Sequence, residues 1–560
     1  MDAAIAFVVM LAGLGQTAPA APPSDSPPRL EPPAVLSAIP ADASSAVIIR
    51  NLSQFDEAFG ALLERIGFIS IRPVTAAKGW SLLIDGVDDG GSLAVCTIPG
   101  RQSGAGSNSI VLIVPTTDRD ALLSLVGPEP AENGLTKVKL RTRDTFVGTK
   151  GRFTVFGSDA SAVKTVVESK RSLRSHATPR QLRRFRTGDA TAWFNVGALS
   201  SGPALKGLST WMSSRFGIGG VALSRATSVQ MTLRFEKTGI AVQLAREFDP
   251  DSATGPTARE SSKPLLLGLL DEPFALAFGM TEHSAGGRAI GMADAWLSMM
   301  RSMGVISDEG ADRLRRPIRR LAAHGGDVSF SVVALPEGTD GIVAATKIVA
   351  LRGDSETLSS DIQAWIAALK TGVFVDPRLE LAVQRVEYRR AAENSGGVSI
   401  DHVSVDLSEF KAVDDAAIRQ VVGKEGLLVR LGVVDGKHLV ACLGGGLARF
   451  DAVVAAVRAR RSPLASTAAI RKADERFNKR SIEAYFALDV ASQLVSKISS
   501  VLGAPAPVLS VDGPFAPVAI ILRTDGEGSD LIDAFFPIGV VGSIKDALAA
   551  QAARKIGVGR

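Results

Sequence analysis

His402, Ser404 and Asp406 are the residue types of a nucleophilic triad, and they recur at a spacing of two. A triad needs its members to converge head to tail within hydrogen-bond reach. On a strand, residues two apart point the same way, about 6.6 Å from one another. The spacing therefore lines the three up in parallel and does not build a relay. Val403, Val405 and Leu407 alternate with them, which predicts a wet face opposite an apolar one. No Gly-x-Ser-x-Gly elbow occurs anywhere in the chain.

Other candidates also lack part of their chemistry. Gly444-Gly445-Gly446 stands between an apolar run and a helical pattern, where phosphate loops occur. No Walker Lys-Ser/Thr pair follows it, so a structural turn is expected. Asp85, Asp88 and Asp89 share a loop with Gly86, Gly90 and Gly91. A calcium loop needs carboxylates at alternate positions and a distal Glu, so turn chemistry is the better reading. The histidines at 176, 283, 324, 402 and 438 have no metal-site spacing. No catalytic residue, metal ligand or cofactor site is assigned.

Basic clusters remain. Lys170, Arg171, Arg174, Arg180, Arg183, Arg184 and Arg186 crowd one segment, and a second runs from Arg458 to Arg480 through Arg460 and Arg461. A third holds Arg313, Arg315, Arg316, Arg319 and Arg320. Such clusters either meet an anionic polymer, lipid headgroups or an acidic partner, or form solvated faces paired with nearby acids. The candidate anion or partner contacts are Arg171, Arg174, Arg183, Arg184, Arg460 and Arg461. Ile290, Ala293, Trp296, Met299, Met300 and Met303 form a helical stripe, read as core packing, with an adaptable peptide surface as the alternative.

The chain has 560 residues, too many for one hydrophobic core. Hydrophobic residues at 46% and charged residues at 22% suit a globular protein. Aromatics at 5%, with Tyr388 and Tyr485 the only tyrosines, argue against stacking grooves for single-stranded nucleic acid. A net charge of +5 over this length is no nucleic-acid signature either. Cys96 and Cys442 each sit in an apolar run, which predicts buried free thiols.

The N-terminus reads as an export signal. An apolar run from Ala3 to Leu14 precedes Ala18-Pro19-Ala20, with small residues where signal peptidase needs them. The n-region lacks Lys and Arg. No later stretch reads as a transmembrane span. The predicted layout is a signal over 1–20, a Pro-rich linker over 21–37, a first domain over 38–250 and a linker over 251–264. A second domain then covers 265–545, and a tail covers 546–560.

Self-similarity relates the two domains. Phe153 to Gly157, then Val163, Val166 and Val167, then Lys170-Arg171-Ser172-Leu173 and the strand Ala192 to Val196 recur in order. The counterparts are His438 to Gly444, then Phe450, Val453 and Val454, then Arg460 to Leu464 and Ala484 to Leu488. Upstream, strand-then-Asp patterns at Ile110 to Asp118 and Lys347 to Asp354 also agree. Ser228 to Phe248 reads as a hairpin turned at Glu236 to Gly239. Leu379 to Leu407 reads as a hairpin inserted in the second half. The expected fold class is α+β: two related halves, each mainly antiparallel sheet with helices packed on one face.

Ile39-Pro40-Ala41-Asp42-Ala43, followed by Ala46-Val47-Ile48-Ile49 and Asn51-Leu52, resembles the start of a family of uncharacterised exported bacterial proteins. The stretches Asp88 to Ala94 and Val114 to Asp118 are similar to the same family. The resemblance covers about the first half and implies export and a globular fold, with no activity or site residues attached. The combined expectation is an exported, non-enzymatic binding or scaffold protein of the cell envelope. Its partner would be an anionic envelope component or an acidic protein. A hydrolase assembled from distant loops and an assembly factor holding acidic or unfolded clients are the alternatives.

Overall fold

The structure, a computed structural model, describes residues 31–67, 72–81, 85–99, 108–124, 126–130, 134–140, 143–199, 226–249, 260–282, 287–406, 415–477, 479–503, 513–524 and 529–546. The expected signal, the first part of the Pro-rich linker, 250–259, His283, Leu407 and nearly all of the tail lie outside them. The chain divides into two compact units, Met1–Gly255 with Asp525–Ile538, and Pro256–Thr524 with Gly539–Arg560. Among the described residues no helix is long and apolar enough to cross a membrane.

The first unit contains β1 (Ser45–Ile49), β2 (Leu93–Pro99), β3 (Asn108–Pro115), β4 (Glu129–Pro130), β5 (Thr136–Leu140) and β6 (Arg143–Lys150). It continues with β7 (Phe153–Gly157), β8 (Ala190–Asn195), β9 (Ala226–Glu236) and β10 (Gly239–Phe248), and takes β20 (Ser529–Pro537) from far along the chain. The pairings run β20-β10-β9-β8-β1-β2-β3-β7-β6-β5-β4, each antiparallel. β9 and β10 form the expected hairpin, with Glu236 opposite Gly239. Gly239 is required there because a Cβ would lie 2.1 Å from the Phe536 carbonyl oxygen.

The second unit holds β11 (Phe274–Met280), β12 (Gly325–Ala334), β13 (Val343–Leu351), β14 (Val386–Ser395) and β15 (Val398–Val405). It also holds β16 (Leu428–Val434), β17 (His438–Leu443), β18 (Ile482–Phe486) and β19 (Val518–Thr524). Its order is β19-β18-β11-β12-β13-β17-β16-β15-β14, again antiparallel throughout.

The mixed α+β class holds, but the helices pack on both faces of each sheet. In the first unit the helix Ala160–Glu168 buries Val163 and Val166 against Val111 and Ile113. The helix Arg119–Leu123, capped by Asp118, buries Leu122 and Leu123 against Val114, Val147 and Phe156 on the opposite face. In the second unit the helix Gly446–Arg458 sets Phe450, Val453 and Val457 against Ile348, Val440 and Cys442. The helix Ser355–Leu369, capped by Asp354, covers Leu431, Val433 and Leu439 from the other side. The physical reason is in β3 itself: Ile110 to Val114 is apolar at every position, and past the exposed Ile110 it buries Val111 and Ile113 on one face and Val114 on the other.

Three boundaries also differ from the sequence reading. Ala34–Ser37 is a 3-10 turn with Val35 and Leu36 fully buried, so packing starts inside the Pro-rich stretch. The inserted hairpin begins at Val386, because Asp376 caps a helix, Pro377–Gln384, over the residues read as its first strand. Finally, β20 lies within the expected second domain yet pairs with β10 from Gly239↔Pro537 to Glu247↔Ser529.

Candidate functional site

The first unit's basic segment is held by its backbone. After the helix Ala160–Glu168, the Arg171 carbonyl accepts the Ala41 N–H at 3.1 Å, and the Leu173 N–H donates to Ile39 O at 2.7 Å. Ser172 with Ser175, and Thr178 with Gln181, form capping boxes that start the next two helices. The Lys150 ammonium donates to the carbonyls of Val166, Val167 and Ser169 at 2.8, 3.1 and 2.5 Å, closing the C-terminus of the preceding helix.

The side chains of this corner border an open groove of about 790 Å³, lined by Asp42, Asp159, Lys164, Lys170, Arg171 and His176 among others. Two of its acids are engaged. Asp159 caps the helix through the Ser161 N–H at 2.8 Å and accepts the Ser109 hydroxyl at 2.7 Å. Burial works against the Asp159 charge, but these hydrogen bonds together hold its carboxyl below the usual range. Glu168 pairs with Lys164 at 3.7 Å. Lys170, Arg171 and His176 have no ion-pair partner among the described residues, and all three are exposed.

The other candidates divide. Arg174 and Arg183 are exposed. Arg184 is buried, donating to Glu247 at 2.8 Å and to the Ser529 hydroxyl at 3.1 Å. Desolvation pushes the Glu247 carboxyl above its ordinary value despite that arginine. The signal for Arg184 was present: Gln181, Arg184 and Phe185 form the i, i+3, i+4 stripe that the helix Pro179–Thr187 buries. Arg460 and Arg461 belong to the second unit, where both are exposed at the end of the helix Gly446–Arg458. Arg460 has φ 50°, and the bonds Arg460 N–H to Val457 O and Arg461 N–H to Ala456 O make a Schellman cap. The third cluster is largely paired: Arg313 with Glu309, Arg315 with Asp312 at 2.6 Å, and Arg319 with Asp294 at 2.7 Å.

His402 is half-buried rather than on a wet face, with Nε2 at 3.0 Å from Glu393. Glu393 also accepts from Arg430, whose hydrogen bond first, and His402 after it, hold the carboxyl below its usual range. Arg430 bridges on to Glu425 at 2.6 Å. Gly444 explains the glycine run: φ is 76°, and a Cβ would stand 2.5 Å from Val343 O. Asp88 accepts the Gly90 N–H at 3.1 Å, a turn. Of the Met stripe, Met300 packs inward beside Leu297, which lies outside the stripe, and Ile290 and Ala293 are half-buried, while Trp296, Met299 and Met303 are 40%, 49% and 59% exposed. The apolar seam is rotated by one position relative to the expected core face. Cys96 and Cys442 are free and buried, and desolvation raises their thiols to about 12 and about 11.

Sequence reasoning missed a buried cluster in the second unit. Arg480 is 1% exposed and donates to Asp474 and to Glu483, the latter at 2.9 Å. Tyr485 donates its hydroxyl to the same carboxylate at 3.2 Å.

No family model and no curated protein matches the chain. Similar solved structures include crystal forms IV and III of TP0453. Both have TM-score 0.25 and 10% identity, covering 39% and 42% of this chain and 81% and 90% of theirs. Crystal form I has the same TM-score at 9% identity.

Proposed function

We propose that this is a non-enzymatic binding protein whose first unit holds a ligand rich in phosphate or carboxylate groups in the groove over the helix Ala160–Glu168. One observation carries the reading. Lys170, Arg171 and His176 present unpaired donors at the groove, while Asp159 and Glu168 are already engaged within the protein. A rigid backbone corner beneath them reduces the ordering cost of binding. Arg174, exposed on the adjoining turn, extends the same charge.

The apolar N-terminal run supports placing the protein in the cell envelope after export. Relatedness of the two units is supported by their strand orders. β8-β1-β2-β3-β7-β6 in the first matches β18-β11-β12-β13-β17-β16 in the second.

The experiment is titration of the full chain with inorganic polyphosphate at two salt concentrations. Binding that weakens with salt, and about tenfold further in Lys170→Gln/Arg171→Gln, is the expected result. Unchanged affinity in that variant overturns the groove. Turnover of a hydrolase substrate panel at ordinary rates overturns the non-enzymatic reading.

A further inference from the structure

β13 lies at the middle of the second unit's strand order and carries Lys347. Its neighbours Thr346 and Ile348 point into the core and are 1% exposed, so Lys347 points to the opposite face. The register places Phe330 of β12 and Ala441 of β17 directly beside it. Phe278 of β11 lies beyond Phe330, and Leu431 of β16 lies beyond Ala441. The adjoining row is Leu276, Val332, Ala345 and Leu443. Every residue of both rows other than Lys347 is apolar and half-buried, on strands where a covered sheet would be sealed.

The helix Ser355–Leu369 covers Leu431, Val433 and Leu439 and so walls one side. It does not seal the strip over β13, because Lys347 remains exposed. Among the described residues the ammonium has no hydrogen-bond or ion-pair partner. Burial among its neighbours nonetheless pushes its pKa below that of an ordinary lysine. Solvent access combined with desolvation is what a charge set among apolar side chains on an incompletely covered sheet face experiences. The first unit treats this place differently: β3 lies between β2 and β7 as β13 lies between β12 and β17, but Val114 there is 4% exposed beneath the helix Arg119–Leu123.

A single unpaired cation inside an otherwise apolar, open sheet face selects a ligand of matching composition. We infer that the face over β13 binds an anionic amphiphile, its acidic headgroup on the Lys347 ammonium and its alkyl chain along the apolar rows. With the headgroup on Lys347, the row continuing over Phe330, Phe278 and Ala484 crosses four strands and spans about 14 Å, the length of an extended chain of roughly twelve carbons. A long-chain carboxylate is therefore the ligand class.

The test uses the full chain, a dansyl-labelled undecanoate as fluorescent probe, and laurate and 1-dodecanol as competitors. Wild type binds the probe saturably, laurate displaces it, and dodecanol competes about tenfold more weakly, the contribution of a charge-assisted contact. Lys347→Met removes the preference for laurate and weakens the probe about tenfold, while Lys347→Arg retains both. Lys170→Gln/Arg171→Gln, in the other unit, leaves probe binding unchanged, so failure of the groove and failure of this site are read separately. Absence of saturable binding, or a Lys347→Met protein that binds the probe as tightly as wild type, overturns the inference.

Discussion

The basic corners of the two units do the same backbone work and spend their charges differently. In each, a helix follows a strand, and the corner carbonyl accepts an N–H from the segment before the unit's first strand: Arg171 from Ala41 at 3.1 Å, Arg461 from Gly268 at 2.9 Å. In each, a buried leucine then returns the bond, Leu173 to Ile39 and Leu464 to Leu269. The helix ends diverge. The first unit closes its helix with the Lys150 ammonium, leaving Lys170 and Arg171 turned toward a groove. The second closes its helix with backbone bonds through Arg460. Arginine density alone therefore does not mark a binding face. What marks it is whether the local fold has already used the charge.

The largest expected effect comes from arginines that the fold has used completely. Arg480 and Glu483 are 1% and 0% exposed, against 8% and 10% for the side chains of Arg184 and Glu247. Removing one partner of a buried pair strands the other charge and costs about 3–5 kcal/mol. Arg480→Met should therefore lower the urea midpoint more than Arg184→Met, because the carboxylate it strands is fully buried whereas the Glu247 side chain is 10% exposed. Arg480→Met/Glu483→Gln should recover much of the loss, since no fully buried carboxylate is then left uncompensated, and Asp474, the arginine's other partner, is 26% exposed and can be hydrated. Equal losses for the two single variants would contradict this ranking.

Much of this was legible in local pattern. Asp118, Asp159 and Asp354 cap the helices that the sequence starts at or beside them, and Val163 and Val166 bury as their spacing predicts. The β9–β10 turn follows from its glycine. What was not legible is long-range or depends on packing. The pairing of β20 with β10 joins residues nearly 300 positions apart, and no short window encodes that choice. Arg184 and Arg183 are adjacent in one basic run, and only the helix phase separates the buried from the exposed one. Lys347 reads as an ordinary polar interruption of a strand until the register shows apolar neighbours on either side.

The next effect tests the caps themselves. Lys150→Met removes the donor serving three carbonyls in the first unit, so a loss of about 1–3 kcal/mol is expected. Hydrogen exchange should locate the loss at the end of the helix Ala160–Glu168 and leave the helix Gly446–Arg458 unchanged. Protection lost equally in both helices would show that Lys150 is not a local cap.

The smallest effect distinguishes the corners most directly. Arg460 has φ 50°, a left-handed conformation that costs an L-residue about 1–2 kcal/mol and glycine nothing. Arg460→Gly relieves that strain but gives up a cation at a helix C-terminus, worth about 0.3–1 kcal/mol, and adds freedom to the unfolded chain. These terms nearly offset, leaving a change within about 0.5 kcal/mol on the stabilising side. Arg171 has no positive φ, so Arg171→Gly carries only the entropic loss and should destabilise by about 0.5–1 kcal/mol. Opposite signs at the two corners, read as urea midpoints in parallel, would separate an arginine retained against its backbone preference from one whose backbone suits it. The same sign at both would mean that the left-handed turn carries no strain for the second unit to relieve, and that the corners differ in side-chain contacts alone.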